Sequence, residues 1–371
     1  MSLAFYRKYR PQTFTEVIGQ SHVVQTLTNA ILSNSISHAY LFSGPRGSGK
    51  TTVARVMAKA LNCENRKENQ FEPCNKCPSC LGIAGGNAMD LIEVDAASHR
   101  GVDDIRELRD GVRFAPVKSR YKVFIIDECH QLSKDANNAL LKTLEEPPSH
   151  AVFVLATTEI HKMIPTLVSR CQRFDFRRLQ TSDIIKKLER ISEKEGIKFD
   201  KSALSLIALN ARGSFRDAES LLDECLSFSG KTALIRAEDV EELLGVVEIG
   251  HISKFVDALL SKNAKEAILH INKMVDDGID LQEFTKTLIY YLRQSLLIKI
   301  NPDFSNPETT GFSHEELTKM QNQTSNLKEK EIQSMLELFI EAENKTKYAS
   351  IPQLPLELAI VDIIEEQQPL K

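Results

Sequence analysis

Gly44-Pro45-Arg46-Gly47-Ser48-Gly49-Lys50-Thr51-Thr52 is the stretch that decides the fold of this 371-residue chain. It follows the apolar run His38-Ala39-Tyr40-Leu41-Phe42 and leads into a helical pattern from Val53 to Leu61. Buried strand, glycine-rich turn and helix thus come in the order a phosphate loop requires. Gly44, Gly47 and Gly49 let backbone N–H groups turn toward phosphates, and the helix beginning near Lys50 adds its positive end. Lys50 suits the β- and γ-phosphates of a nucleotide, and the Thr51 hydroxyl suits Mg²⁺.

Outward from the loop, further apolar runs at 91–94, 121–127 and 151–156 read as strands, with helical segments between them and an amphipathic helix over 21–36 ahead of them. That alternation predicts a parallel sheet covered on both faces. The strand-like runs stop after about residue 178. Short helices follow over 182–243, punctuated by Gly196, Gly213 and Gly230. Longer helices are expected from 245 to 366, for example 251–275, 280–300 and 328–348, with a loop over 301–314.

Val123-Phe124-Ile125-Ile126-Asp127-Glu128 is an apolar strand ending in two acids. Asp127 suits a Mg²⁺ contact, and Glu128 suits polarising a water that attacks the γ-phosphate. The strand at 151–156 ends in Thr157-Thr158, where one hydroxyl could hold that water; threonine is equally ordinary at a strand end. Arg170, in Ser169-Arg170-Cys171, reads either as a surface charge or as a fork reaching a neighbouring subunit's nucleotide. In Gly213-Ser214-Phe215-Arg216-Asp217-Ala218, Ser214 is a good N-cap, and Arg216 falls in a first turn that disfavours cations, which hints at an external anion.

Four of the seven cysteines cluster as Cys63-x10-Cys74-x2-Cys77-x2-Cys80. The spacing predicts a closed tetrahedral S₄ zinc site of structural type, ahead of redox cysteines or an iron–sulfur cluster. Cys129, Cys171 and Cys225 are isolated and read as small buried hydrophobes.

Composition fits this picture. With 26% charged and 42% hydrophobic residues, 16 Gly and 13 Pro, the chain is neither disordered, collagen-like nor a disulfide framework. The net charge of −4 excludes a uniformly basic nucleic-acid binder. The charge is uneven, however: residues 1–60 hold seven Lys/Arg against one acid, and residues 301–371 hold six against thirteen. No apolar run reaches the ~18 residues that span a bilayer, and no signal peptide is recognisable, so a cytoplasmic protein with no membrane partner is expected.

The opening Tyr6-Arg7-Lys8-Tyr9-Arg10-Pro11-Gln12-Thr13-Phe14 and Val17-Ile18-Gly19-Gln20 join these motifs. So do Asp127-Glu128-Cys129-His130, Asn138-Ala139-Leu140-Leu141-Lys142-Thr143-Leu144-Glu145-Glu146-Pro147-Pro148 and Ala156-Thr157-Thr158-Glu159. Together they resemble the gamma/tau clamp-loader ATPases of bacterial DNA polymerase III over about the first 245 residues. The resemblance implies an α/β AAA+ P-loop NTPase core over 1–178 with a zinc module inserted at about 62–82. A helical lid over 179–243 and an all-α oligomerisation collar over 244–371 would follow. It implies ATP, Mg²⁺ and Zn²⁺ as ligands, with Gly44 to Thr52 on the phosphates and Arg10, Pro11, Val17 and Ile18 bordering the adenine. Asp127 and Glu128 become the Walker B pair, Thr157 or Thr158 sensor 1, Arg216 sensor 2 and Arg170 the arginine finger. The implied partners are delta and delta-prime subunits, other copies of the chain, the beta sliding clamp and primed DNA, with Ser98, His99 and Arg100 as the expected backbone contacts. Nothing here resembles a polymerase active site, so any polymerase activity would belong to the holoenzyme. A Holliday-junction helicase motor is the competing reading, but it has no reason to carry the four cysteines. A nucleotide-inactive delta-prime type subunit would not need the intact loop and acid pair.

Overall fold

The computed structural model describes residues 4–98, 111–229, 234–244, 249–304, 312, 314–325 and 327–366. Its centre is a five-stranded parallel sheet in the order β2-β3-β4-β1-β5. The strands are β1 (Ala39–Ser43), β2 (Leu91–Asp95), β3 (Lys122–Asp127), β4 (Ala151–Thr157) and β5 (Gln172–Asp175). Strands β1, β3 and β4 are apolar almost throughout because both faces are covered. Alternate residues serve opposite faces. Tyr40, Phe42, Val123, Ile125, Val152 and Val154 pack with helices α2 (Ser21–Leu32) and α3 (Lys50–Asn62). On the other face, Leu41, Phe124, Ile126, Phe153 and Leu155 pack with α5 (Lys134–Glu145) and α6 (Pro165–Val168). Phe124 and Phe153 stack there at 5.0 Å. A short α1 (Phe5–Lys8) precedes the sheet, and α4 (Pro78–Gly85) follows α3.

The four strands expected from the sequence are present, and β5 adds a fifth. It lies at the sheet edge with only Phe174 buried, so no apolar run marks it. The helix expected over 21–36 ends at Leu32.

Beyond the sheet come α7 (Thr181–Glu195), α8 (Lys201–Asn210), α9 (Phe215–Ser229) and α10 (Ala237–Leu244). A two-residue parallel pair, β6 (Lys198–Phe199) with β7 (Leu234–Ile235), interrupts what reads as purely helical sequence. The chain divides into two compact units, residues 1–196 with 208–224, and residues 197–207 with 225–371.

The second unit holds α11 (Ile249–Leu260), α12 (Ala264–Asp276), α13 (Leu281–Ile300), α14 (His314–Thr324), α15 (Glu329–Thr346) and α16 (Leu354–Glu366). They surround one core in which Phe255 meets Phe284 edge-on at 5.3 Å, with Phe339 and Ile360 fully buried beside them. The single helix expected over 251–275 is two helices. Lys262 takes a left-handed φ of +57°, and the Asn263 side chain caps α12 by accepting Glu266 N–H at 3.2 Å. No helix of the described residues is long and apolar enough to cross a membrane.

Candidate nucleotide cleft and cysteine cluster

The carboxyl ends of the parallel strands carry the polar residues. Ser43 pairs with Thr157, Asp95 pairs with Asp127, and Gly44 N–H donates to Thr157 O at 3.1 Å. The loop after β1 therefore leaves beside β4, with β3 next along, which is where open parallel sheets place ligands. Gly47, at φ +74°, sits so close to the turn before α9 that a Cβ would lie 1.9 Å from Ser214 Oγ. Phe215 N–H donates to Gly47 O at 3.3 Å, so α9 starts against the loop. Gly49, left-handed at φ +98°, ends the turn and caps α3.

A cleft of about 500 Å³ opens here. Its walls include Arg10, Pro11, Val17, Ile18, residues 46–52, Asp127, Glu128 and Arg216, all of them expected from the sequence. Gly44 and Pro45 support it from behind: their carbonyls accept Lys50 Nζ at 2.8 and 2.9 Å. Burial pushes the Lys50 ammonium below its ordinary pKa, a penalty that a bound anion would offset. The Thr51 hydroxyl donates to Asp127 Oδ2 at 2.7 Å, so two hard oxygen donors stand together as a Mg²⁺ site would need.

Thr157 and Thr158 part company. Thr157 is fully buried, and its hydroxyl lies 3.0 Å from His130 Nδ1 and accepts Glu159 N–H. The Thr158 hydroxyl instead donates to Glu128 Oε2 at 2.8 Å, and its N–H reaches the same oxygen at 3.3 Å. Thr158 is thus the hydroxyl coupled to the acid. Arg216 lies 5.1 Å above the Tyr6 ring within the cleft. Arg170 is absent from the cleft lining; it pairs with Glu145 at 2.7 Å and donates to Thr166 O. Ser98 donates its N–H to Asp95 O in a turn after β2, while His99 and Arg100 lie outside the described residues.

Sequence reasoning passed over Lys187 and Glu219. Both line the cleft and form a buried ion pair at 2.6 Å, with Lys187 also 4.2 Å from the Phe215 ring. Burial raises the Glu219 carboxyl above its ordinary range, against the pull of Lys187. No local pattern marks a residue on α7 and another on α9 as partners. Gln20, part of an N-terminal motif but given no role there, is fully buried and bonds Arg177 through both ends of its amide.

The four cysteine sulfurs lie within 4.8 Å of one another. A tetrahedral zinc–thiolate centre with bonds of about 2.3 Å needs sulfurs roughly 3.8 Å apart, so the donor set fits that ion. Backbone N–H groups already point at the sulfurs, from Lys76 and Cys77 to Cys74 Sγ and from Cys80 to Cys77 Sγ, at 3.3–3.4 Å. Burial pushes the Cys74 thiol up, but these N–H groups and neighbouring thiols outweigh it and bring the pKa down to about 6. Cys129 and Cys225 are buried as expected, whereas Cys171 is half-buried and its thiol is pushed up to about 12 by burial.

Three family models cover the chain in turn. Residues 19–180 match "DNA polymerase III, delta subunit", and 183–231 match "DNA polymerase III clamp loader subunit, ATPase lid domain". Residues 235–370 match "DNA polymerase III subunits gamma and tau domain III". DNA polymerase III subunit gamma of Buchnera aphidicola is 37% identical over 96% of this chain and 97% of its own length. The chain belongs to the DNA polymerase III gamma/tau family. The tau subunit of Bacillus subtilis is 42% identical across 98% of this gamma/tau chain, and that of Escherichia coli is 42% identical across 80% of it. These matches cover 63% and 45% of the two tau subunits, so the chain spans about three-fifths of the first of them. The RuvB Holliday-junction branch migration motor of Thermotoga maritima overlaps 68% of this chain and 79% of its own at 20% identity. Its TM-score is 0.48, a distant likeness only.

Proposed function

We propose that this gamma/tau chain is an ATP-driven motor subunit of the DNA polymerase III clamp loader. In that role it acts with delta, delta-prime and further copies of itself to open the beta sliding clamp and load it on primed DNA. The observation that carries this reading is the convergence of Lys50, the Thr51–Asp127 pair, Glu128 and Arg216 on one cleft at the strand ends. ATP is the substrate. Lys50 and the N–H groups of 44–52 hold its phosphates, and Thr51 and Asp127 hold Mg²⁺. Arg10, Pro11, Val17 and Ile18 border the base. Glu128, steadied by Thr158, orients the attacking water, while Arg216 and a neighbour's Arg170 stabilise charge on the γ-phosphate oxygens.

Cys63, Cys74, Cys77 and Cys80 hold structural zinc, supported by their mutual distance and N–H···S bonds. Functionally the chain reads as a core over 1–178, a lid over 179–243 and a collar over 244–371, bounds that differ from those of the two compact units, and a cytoplasmic site of action goes with replication. Steady-state ATP hydrolysis is the test, measured with delta and delta-prime, with and without clamp and primed DNA. Strong stimulation by clamp and DNA, lost in Lys50→Ala, is the expected outcome. Turnover indifferent to the clamp would move the function to a DNA motor of another kind.

A further inference from the structure

The cysteine module makes contacts that neither metal binding nor phosphate binding requires. Glu72, two residues before Cys74, accepts Phe14 N–H at Oε2 and Thr15 N–H at Oε1, both at 2.8 Å. Beside it, the Phe71 ring packs 6.4 Å from the ring of Phe14, which is buried in the main core. Lys59, 2% exposed and four residues before Cys63, donates to Gln12 O at 3.1 Å and to Gln12 Oε1 at 2.7 Å. Gln12, Phe14 and Thr15 form the middle of a strap whose two ends, Arg10-Pro11 and Val17-Ile18, line the nucleotide cleft. The strap is therefore anchored on its far side by Glu72 and Phe71 of the module and by Lys59 of α3, while its two ends line the cleft.

We propose that Glu72 is a positioning residue for the nucleotide site, tying the metal-held cysteine module to the strap that walls the cleft. The inference rests on the nucleotide reading above. The segment from Cys63 to Cys80 has little apolar content: Phe71 is only half-buried, and most residues from 64 to 70 are exposed. Its shape then depends on the thiolate centre, and so does the position of Glu72 two residues away. Loss of the metal frees Glu72 and leaves two consecutive amides without acceptors. The strap loosens, and nucleotide affinity falls although no cysteine touches the nucleotide.

The test uses the full chain, with Glu72→Ala and the milder Glu72→Gln. Three quantities are read: bound zinc, affinity for a fluorescent ATP analogue with Mg²⁺, and hydrogen exchange at the Phe14 and Thr15 amides. Glu72→Ala is expected to keep its zinc, exchange both amides faster and bind the analogue about tenfold more weakly. Glu72→Gln, which retains one acceptor oxygen, should fall about threefold, and it carries the test if the alanine variant fails to fold. Chelating the zinc of the wild type should speed exchange at the same two amides. Wild-type affinity in a Glu72→Ala protein with freely exchanging amides overturns the coupling, as does chelation that leaves both amides protected. A wild type that binds no analogue overturns the nucleotide reading instead, and this inference with it.

Discussion

Among the described residues, Lys50 Nζ donates to the carbonyls of Gly44 and Pro45, and burial outweighs the pull of Glu128 and Asp127 on its charge, so a bound phosphate would offset a penalty already present. Lys50→Ala is expected to weaken nucleotide binding by roughly 10- to 100-fold, measured by titration of a fluorescent analogue. Glu128 differs in kind, since its Oε2 already takes two bonds from Thr158. Glu128→Gln should leave nucleotide binding within about twofold and lower turnover about 100-fold, as loss of a water-orienting base does. Unimpaired turnover would remove Glu128 from that role. Arg170 rests on Glu145 outside its own cleft. Arg170→Ala should bind ATP normally, yet lose about a thousandfold in clamp- and DNA-stimulated turnover of the assembled loader. The sequence offered two threonines; that Thr158 is the one bonded to Glu128 needed β3 and β4 side by side, because Glu128 and Thr158 are thirty residues apart.

At the level of elements, the turn before β2 and the loop before β3 are joined by Asp90. This carboxylate, 4% exposed, accepts N–H bonds from Val117, Lys118 and Ser119 at 2.7–3.0 Å. Burial pushes its pKa up, but the three N–H groups outweigh it and hold the value below the ordinary 3.8. A folded pKa below the unfolded one means stabilisation that is present above about pH 4 and lost as pH falls through the folded value. Asp90→Asn should therefore cost about 1–3 kcal/mol at pH 7 in urea unfolding, with the difference from wild type shrinking below about pH 4. A gap that stays constant down to pH 3 would contradict this. The cysteine module, within the first unit, offers another case. Cys77→Ser is expected to lose bound zinc and thermal stability while leaving Lys50 and the Thr51–Asp127 pair in place. Metal content equal to wild type would mean these thiols are not ligands.

Across the whole molecule, charge is divided by role. Of the basic N-terminal residues, Arg10, Arg46 and Lys50 line the cleft, while Lys8 and Arg55 pair with Glu195 and Glu93, so this charge need not signal DNA. The acidic segment 301–371 belongs to the second unit, whose helices share one core. On the proposed function, DNA bound by the assembled loader should be held through its phosphates, which all sequences share. Affinity is expected to fall linearly in log–log terms with salt and to be insensitive to base sequence, as read by anisotropy titrations at several ionic strengths. Preference for one duplex sequence would contradict it.

Local sequence was enough for the loop, the acid-ended strand, the cysteine quartet and the lid cap, because each depends on neighbours within a few turns of chain. The edge strand β5 and the break at Lys262 escaped, one for want of a second buried face and the other because helical spacing runs across a cap. What the folded chain alone decided is the set of long-range pairings. Thr158 meets Glu128 because β4 lies beside β3, Lys187 meets Glu219 because α7 and α9 share the cleft, and Glu72 meets the strap because the module folds back on it. Each partner is polar and unremarkable in its own stretch of sequence. Exclusion of competing water strengthens such pairs to the extent that they are buried, most of all at Glu219.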